Sequence, residues 1–132
     1  MIVKTNWSPN DYLNYEDWNR IIGNVKTICT MGNYKGFTLE DNNTYACVID
    51  FSQLNAIEQA LKELNQVVQI KYWEEPKVDW KAFDTISYKD LNRIESHTYN
   101  IYNVLSGKHT LLYTGEINSG QKEQLGGATR IG

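Results

Sequence analysis

Apolar residues recur at helical spacing in three separate stretches of this chain. In the middle stretch Leu54, Ile57, Leu61, Leu64 and Val68 step by three and four, the seam of an amphipathic helix. A later stretch repeats the step with Leu91, Ile94, Thr98, Ile101 and Leu105, and Tyr88 and Tyr102 widen its stripe. The earliest follows with Trp18, Ile21 or Ile22, Val25, and Ile28 or Cys29. Each seam is preceded by the residues that start helices. Asn14, Asp50 and Ser87 stand at N-cap positions, and Asp17, Gln53 and Asp90 follow three residues later, as in a capping box. Leu13, Ile49 and Ile86 precede the caps at hydrophobic-staple distance from Trp18, Leu54 and Leu91. Gly32 and Ser106–Gly107 read as stops, so helices are predicted near 14–31, 50–69 and 87–106.

These helix starts are copies of one another. "NYEDWNRI" begins at Asn14 and "SYKDLNRI" at Ser87, and a shift of 73 residues aligns the surrounding chain without a gap. Between Trp7 and Ile28 it gives eight identities: Trp7/Trp80, Asp11/Asp84, Tyr15/Tyr88, Asp17/Asp90, Asn19/Asn92, Arg20/Arg93, Ile21/Ile94 and Ile28/Ile101. A fainter copy, "DFSQLNAIE", lies between them. It is 36 residues from the first and 37 from the last, and places Asn55 under Asn19 and Asn92. Three units at nearly constant spacing are the mark of a repeat array, each unit one supersecondary element. The middle unit has Ala56 where the others have arginine.

The pattern predicts a mainly α fold of three repeat-related helices with a short β element. The helical repeat domain is expected over 1–107, with units near 7–31, 44–69 and 80–107, followed by a β-prone or flexible segment over 108–132. "TLLYTG" in that segment alternates like a strand. The alternative is an α+β domain in which "TYACVI", "VVQIKYW" and "HTLLYT" form a small antiparallel sheet.

Composition narrows the function. The 132 residues carry a net charge of −3, a pI near 5.3 and no basic block, unlike a nucleic-acid-binding surface. No apolar run is long enough for a membrane span, and the start lacks the apolar core of a signal peptide, so maturation in a cytoplasm is expected. Cys29 and Cys47 make no disulfide framework and read as small buried hydrophobes. With His97 and His109 they match no zinc spacing. Glu74 and Glu75, adjacent on an extended connector, point apart, and no phosphate loop, nucleophile elbow or H-E-x-x-H motif is present. No enzymatic activity and no cofactor or metal is therefore expected.

Two residue sets remain as candidates for function. Asn19, Arg20, Asn55, Asn92 and Arg93 flank the seams, where the asparagines suit register and loop pinning and the Asp17–Arg20 and Asp90–Arg93 pairs suit an exposed helix. Tyr34, Phe37, Tyr72 and Trp73 are connector aromatics that the repeat leaves unexplained, candidates for a glycan site or a protein interface.

"WSPNDYLNYEDWNRI" and "WKAFDTISYKDLNRIE" together resemble a helical N-R-I-E repeat found in tail and baseplate structural proteins of bacteriophages and prophages of Gram-positive bacteria. The repeat layout extends over roughly residues 7–118. Ala56 and Ile22, which stands where the motif has glutamate, depart from it. The resemblance implies a virion protein assembled in the host bacterial cytoplasm, a structural or adaptor component without catalytic residues. Its partners would be other tail or baseplate proteins and further copies of itself, as a trimer or hexamer, with no nucleic acid and no membrane. The alternative function is a carbohydrate- or cell-wall-binding module that serves host adsorption.

Overall fold

The computed structural model describes residues 1–46 and 48–107. Among them it contains helices α1 (Tyr15–Met31), α2 (Phe51–Val68) and α3 (Tyr88–Leu105), and no strand. The chain divides into a unit of Met1–Tyr102 and a second of Asn103–Gly132. The three caps, the buried core and the joints between repeats all belong to the first. The expected β element is therefore absent from the described residues, and "TLLYTG" lies outside them. The α+β alternative is not supported either, because Val67 and Val68 belong to the end of α2 and the connector after them runs without ladder bonds. Val68 completes the buried seam of α2 while Val67 stands exposed beside it, and packing along that seam overrides the strand preference of the pair.

Each helix begins where its cap predicts. The Asn14 side chain accepts a bond from the Asp17 amide and the Asp17 carboxylate accepts one from the Asn14 amide, at 2.8 and 3.3 Å. Asp50 and Gln53 repeat the exchange at α2, and Ser87 and Asp90 at α3. Two of the first-turn amides that helix geometry leaves orphaned are thus satisfied locally. The helices end through single residues turned left-handed: Asn33 just past α1, Gln69 at the C-cap of α2 and Gly107 after α3.

The core is the sum of the three seams. Trp18, Ile22, Val25 and Ile28 of α1 are fully enclosed, as are Ile57 and Leu61 of α2 and Ile94 and Ile101 of α3. Trp7 and Trp80, which precede the helices they enter by equal distances, are each only 4% exposed. Four polar residues share this interior: Glu58, Glu95, His97 and Thr98. The Thr98 hydroxyl donates to the Ile94 carbonyl one turn back. The two glutamates determine how the units join.

Candidate functional site: the clasps between repeat units

Each helix carries an asparagine five residues after its cap, and each asparagine holds the backbone of the segment that enters the next helix. The Asn19 side chain accepts from the Asn43 amide at 2.8 Å and donates to the Asn43 carbonyl at 2.9 Å. Asn55 treats Trp80 in the same way, at 2.8 and 3.0 Å. Asn92 does so with Trp7, at 2.7 and 3.1 Å. Asn43, Trp80 and Trp7 all stand seven residues ahead of their caps. So α1 holds the entrance to α2, α2 holds the entrance to α3, and α3 holds the entrance to α1. The holds thus close on themselves after three units.

Two of the three joints add a second layer. Between units 2 and 3, the Trp80 indole N–H donates to the Glu58 carboxylate at 2.8 Å, and the Arg93 guanidinium binds the same oxygen. Between units 3 and 1, the Trp7 indole donates to Glu95 at 2.8 Å while Arg20 grips both Glu95 oxygens. The Lys4 amide adds a further bond to Glu95 at 3.0 Å. Glu58 and Glu95 are 0% and 2% exposed, so these are buried ion pairs; Glu95 accepts on both oxygens, whereas Trp80 and Arg93 share Oε2 of Glu58. Each arginine is also steadied by the carboxylate three residues before it, Arg20 by Asp17 at 3.6 Å and Arg93 by Asp90 at 3.0 Å.

The electrostatics follow from this enclosure. Burial raises the pKa of Glu58 above the ordinary carboxylate range, against the pull of the Trp80 indole and Arg93. The hydrogen-bonded Glu95 carboxylate holds the Arg20 guanidinium still more firmly protonated. Burial acts to raise Asp90, but bonds from the Ser87 amide and hydroxyl and from Arg93 leave it below its usual value.

Outside the ring of clasps, Lys4 lies 4.4 Å above the Trp7 ring and 3.3 Å from Asp11. Lys77 lies 5.0 Å above Trp80 and 3.9 Å from Asp84. Asp11 and Asp84 in turn close matching turns by accepting from the Ser8 and Lys81 amides. A lysine three residues before the tryptophan thus belongs to the repeat, as does the buried glutamate of N-R-I-E.

The joint between units 1 and 2 lacks this layer. Ile22 stands where the other helices have Glu58 and Glu95, Ala56 where they have Arg20 and Arg93, and Asn43 where the other entrances have tryptophan. All three departures from the motif meet at a single joint. A glutamate there without an arginine, or the reverse, would leave a buried charge unpaired, so the members change together. The large ring also changes sides: α1 has Trp18 where α2 and α3 have Leu54 and Leu91. The Trp18 indole N–H is buried without a hydrogen-bond partner. α1 and α2 bring their backbones within 8 Å, which no other helix pair among the described residues does.

The candidates read from the sequence separate into two groups. Asn19, Asn55, Asn92, Arg20 and Arg93 all work at joints between units. The connector aromatics form no common platform in the described contacts. Tyr34 and Phe37 lie half-buried on the first connector, and the Tyr34 ring closes over Gly36, where a Cβ would come within 2.6 Å of its hydroxyl. Tyr72 is 93% exposed on the second connector. Trp73 is stacked on His97, ring centroids 3.7 Å apart, so one of its faces is taken. His97 is held neutral: burial and the neighbouring Arg93 push its pKa down to about 4, partly opposed by a bond to the Glu74 backbone. Burial raises the Cys29 thiol to about 11, as suits an inert core residue.

The residues missed from sequence were Glu58 and Glu95. The signal was present, because each falls four residues after a seam leucine and so lies on the apolar stripe, where a carboxylate stands out. Among the described residues no group of three or more His, Cys, Asp or Glu is arranged to hold a metal ion, and no helix is long and apolar enough to cross a membrane. No family model, no curated protein and no solved structure matches this chain.

Proposed function

We propose that this chain is a non-enzymatic structural or adaptor component of a bacteriophage or prophage tail or baseplate, incorporated in the virion and mediating protein–protein assembly. One observation supports the reading above the others. The motif that carries the resemblance spends its Trp, Asn, Arg and Glu on clasps between units: Trp80 and Arg93 on Glu58, Trp7 and Arg20 on Glu95, and Asn92 on the Trp7 backbone. Side chains used in this way are withdrawn from substrate chemistry and serve rigidity and a fixed relative placement of surfaces. Those are the demands on a part that must fit symmetric neighbours.

The test is whether the protein is a particle component. Virions purified from a producing host by density gradient would be examined by mass spectrometry and by immunogold labelling with antibody to this chain. Stoichiometric recovery with label at the tail is expected. Abundant protein in the lysate with none in intact particles would overturn the proposal. A carbohydrate-binding role would draw on Tyr34, Phe37, Tyr72 and Trp73, and no geometric observation favours it.

A further inference from the structure

Among the described residues, four buried polar side-chain atoms have no hydrogen-bond partner. Three of them belong to the joint between units 2 and 3: Glu58 Oε1, Arg93 Nε and His97 Nδ1. A native fold leaves few such atoms, because each gives up its hydration for nothing. Three at one joint require a common cause. The side chains are neighbours. Arg93 is bonded to Glu58 through the other carboxylate oxygen, and His97 follows Arg93 by four residues, one turn along the same face of α3. All three are enclosed: Glu58 is 0% exposed, His97 5% and the Arg93 side chain 9%.

The joint between units 3 and 1 has the same parts without these loose ends. Glu95 receives the Trp7 indole and Arg20 on one oxygen, and Arg20 and the Lys4 amide on the other. Lys77 is the counterpart of Lys4, but its amide draws down the pKa of Glu58 without bonding Oε1. Asn24 stands at the place of His97 and donates to the Ile2 carbonyl at 2.7 Å. The Arg20 side chain is 22% exposed, so solvent reaches it directly. Arg93 lies deeper, and Trp73 covers one face of the neighbouring His97 ring.

The chemistry of the three atoms defines what would satisfy them. Arg93 Nε carries one hydrogen and can only donate. Glu58 Oε1, in a carboxylate paired with Arg93, accepts. The His97 ring is neutral, and its bond to the Glu74 backbone falls to Nε2, since Nδ1 has no partner. Nδ1 is then a lone pair that accepts. One donor and two acceptors require a ligand with a lone pair and two hydrogens. A cation is opposed there by Arg93 and an anion by Glu58. We propose that the joint between units 2 and 3 binds one internal water molecule, which accepts from Arg93 Nε and donates to Glu58 Oε1 and His97 Nδ1. Three hydrogen bonds to buried groups are the usual complement of such a molecule. Through His97 it ties the Glu58–Arg93 pair to the connector that carries Trp73 and Glu74. The inference stands apart from the virion proposal and holds or fails on the isolated protein.

The experiment is a pair of water-selective Overhauser spectra, in the laboratory and rotating frames, on the full chain labelled with nitrogen-15. Arg93 Hε is expected to show a cross-peak to water of opposite sign in the two spectra, the signature of a molecule that tumbles with the protein. Arg20 Hε should show no such peak, because its joint is complete without water. His97→Phe keeps an aromatic ring beneath Trp73 but removes Nδ1, and should abolish the Arg93 cross-peak. A high-resolution crystal structure of the wild type should place one water within hydrogen-bond distance of all three atoms, a result that does not depend on the variant folding. A direct bond from Arg93 Nε to Glu58 Oε1, an Arg93 signal no different from that of Arg20, or one that survives His97→Phe unchanged would overturn the inference.

Discussion

The joint between units 1 and 2 and the joint between units 2 and 3 solve the same geometric problem with opposite chemistry. Both hold an entering segment through an asparagine, Asn19 on Asn43 and Asn55 on Trp80. Behind that clasp, one has Ile22 and Ala56 at the places where the other pairs Glu58 with Arg93 and Trp80. A buried ion pair is not a stronger joint than a well-filled apolar one, because desolvation of both charges offsets most of their attraction. What differs is the failure mode. The polar joint is intolerant of losing one member, and the apolar joint has no charged member to lose. The pair of joints shows how a duplicated interface can depart from its motif and remain whole, provided its members change together.

The largest expected effect breaks the polar joint alone. Arg93→Ala should destabilise by about 3–5 kcal/mol, since it leaves Glu58 buried without its cation. Ala56, at the equivalent position, already lacks the side chain, so a denaturation midpoint for Arg93→Ala equal to that of wild type would dissolve the contrast between the joints. Transplanting the apolar solution sharpens it. Glu58→Ile, Arg93→Ala, Trp80→Asn and Leu54→Trp combined should cost at least about 1 kcal/mol less than the sum of the four single changes, the scale of coupling among residues in contact.

Leu91→Ala should cost about 2–5 kcal/mol through its cavity, against about 1 kcal/mol for Asp90→Ala at the cap of the same helix. Equal melts for wild type and Leu91→Ala would contradict the placement of that seam in the core. Asn19→Ala, Asn55→Ala and Asn92→Ala should each cost about 1–3 kcal/mol, as each strands a partly buried backbone amide and carbonyl. Because this clasp is common to every joint, the three costs should agree. A marked outlier in chemical denaturation would show that the ring is not equivalent at that point.

The smallest effect is titration. The folded state lowers the pKa of His97 from 6.5 to about 4 and so disfavours its charged form. The stability this group contributes is present above pH 6.5 and is lost as pH falls from 6.5 toward 4. Glu58, raised by burial, acts in the opposite sense: its contribution is present in acid and is lost as pH rises through its folded pKa. Replacing His97 with Gln should flatten the acid limb of a plot of Tm against pH, and an unchanged limb would assign acid lability to other groups.

The sequence by itself determined the local structure. Caps, staples and seams act over three to seven residues, a range in which helical period and hydrogen-bonding chemistry can be read directly. The helices accordingly occupy 15–31, 51–68 and 88–105, just inside their caps. The repeat also singled out Asn19, Asn55 and Asn92 before any partner was visible. Tertiary structure alone decided the partners. The Trp7–Glu95 and Arg20–Glu95 bonds span 88 and 75 residues, and no periodicity along the chain encodes which unit meets which. Nor could the motif explain its own exceptions: Ile22, Ala56 and Asn43 are scattered along the chain and look like independent losses. They become one change only when the ring closes, because a buried charge is tolerated or forbidden according to what faces it in space.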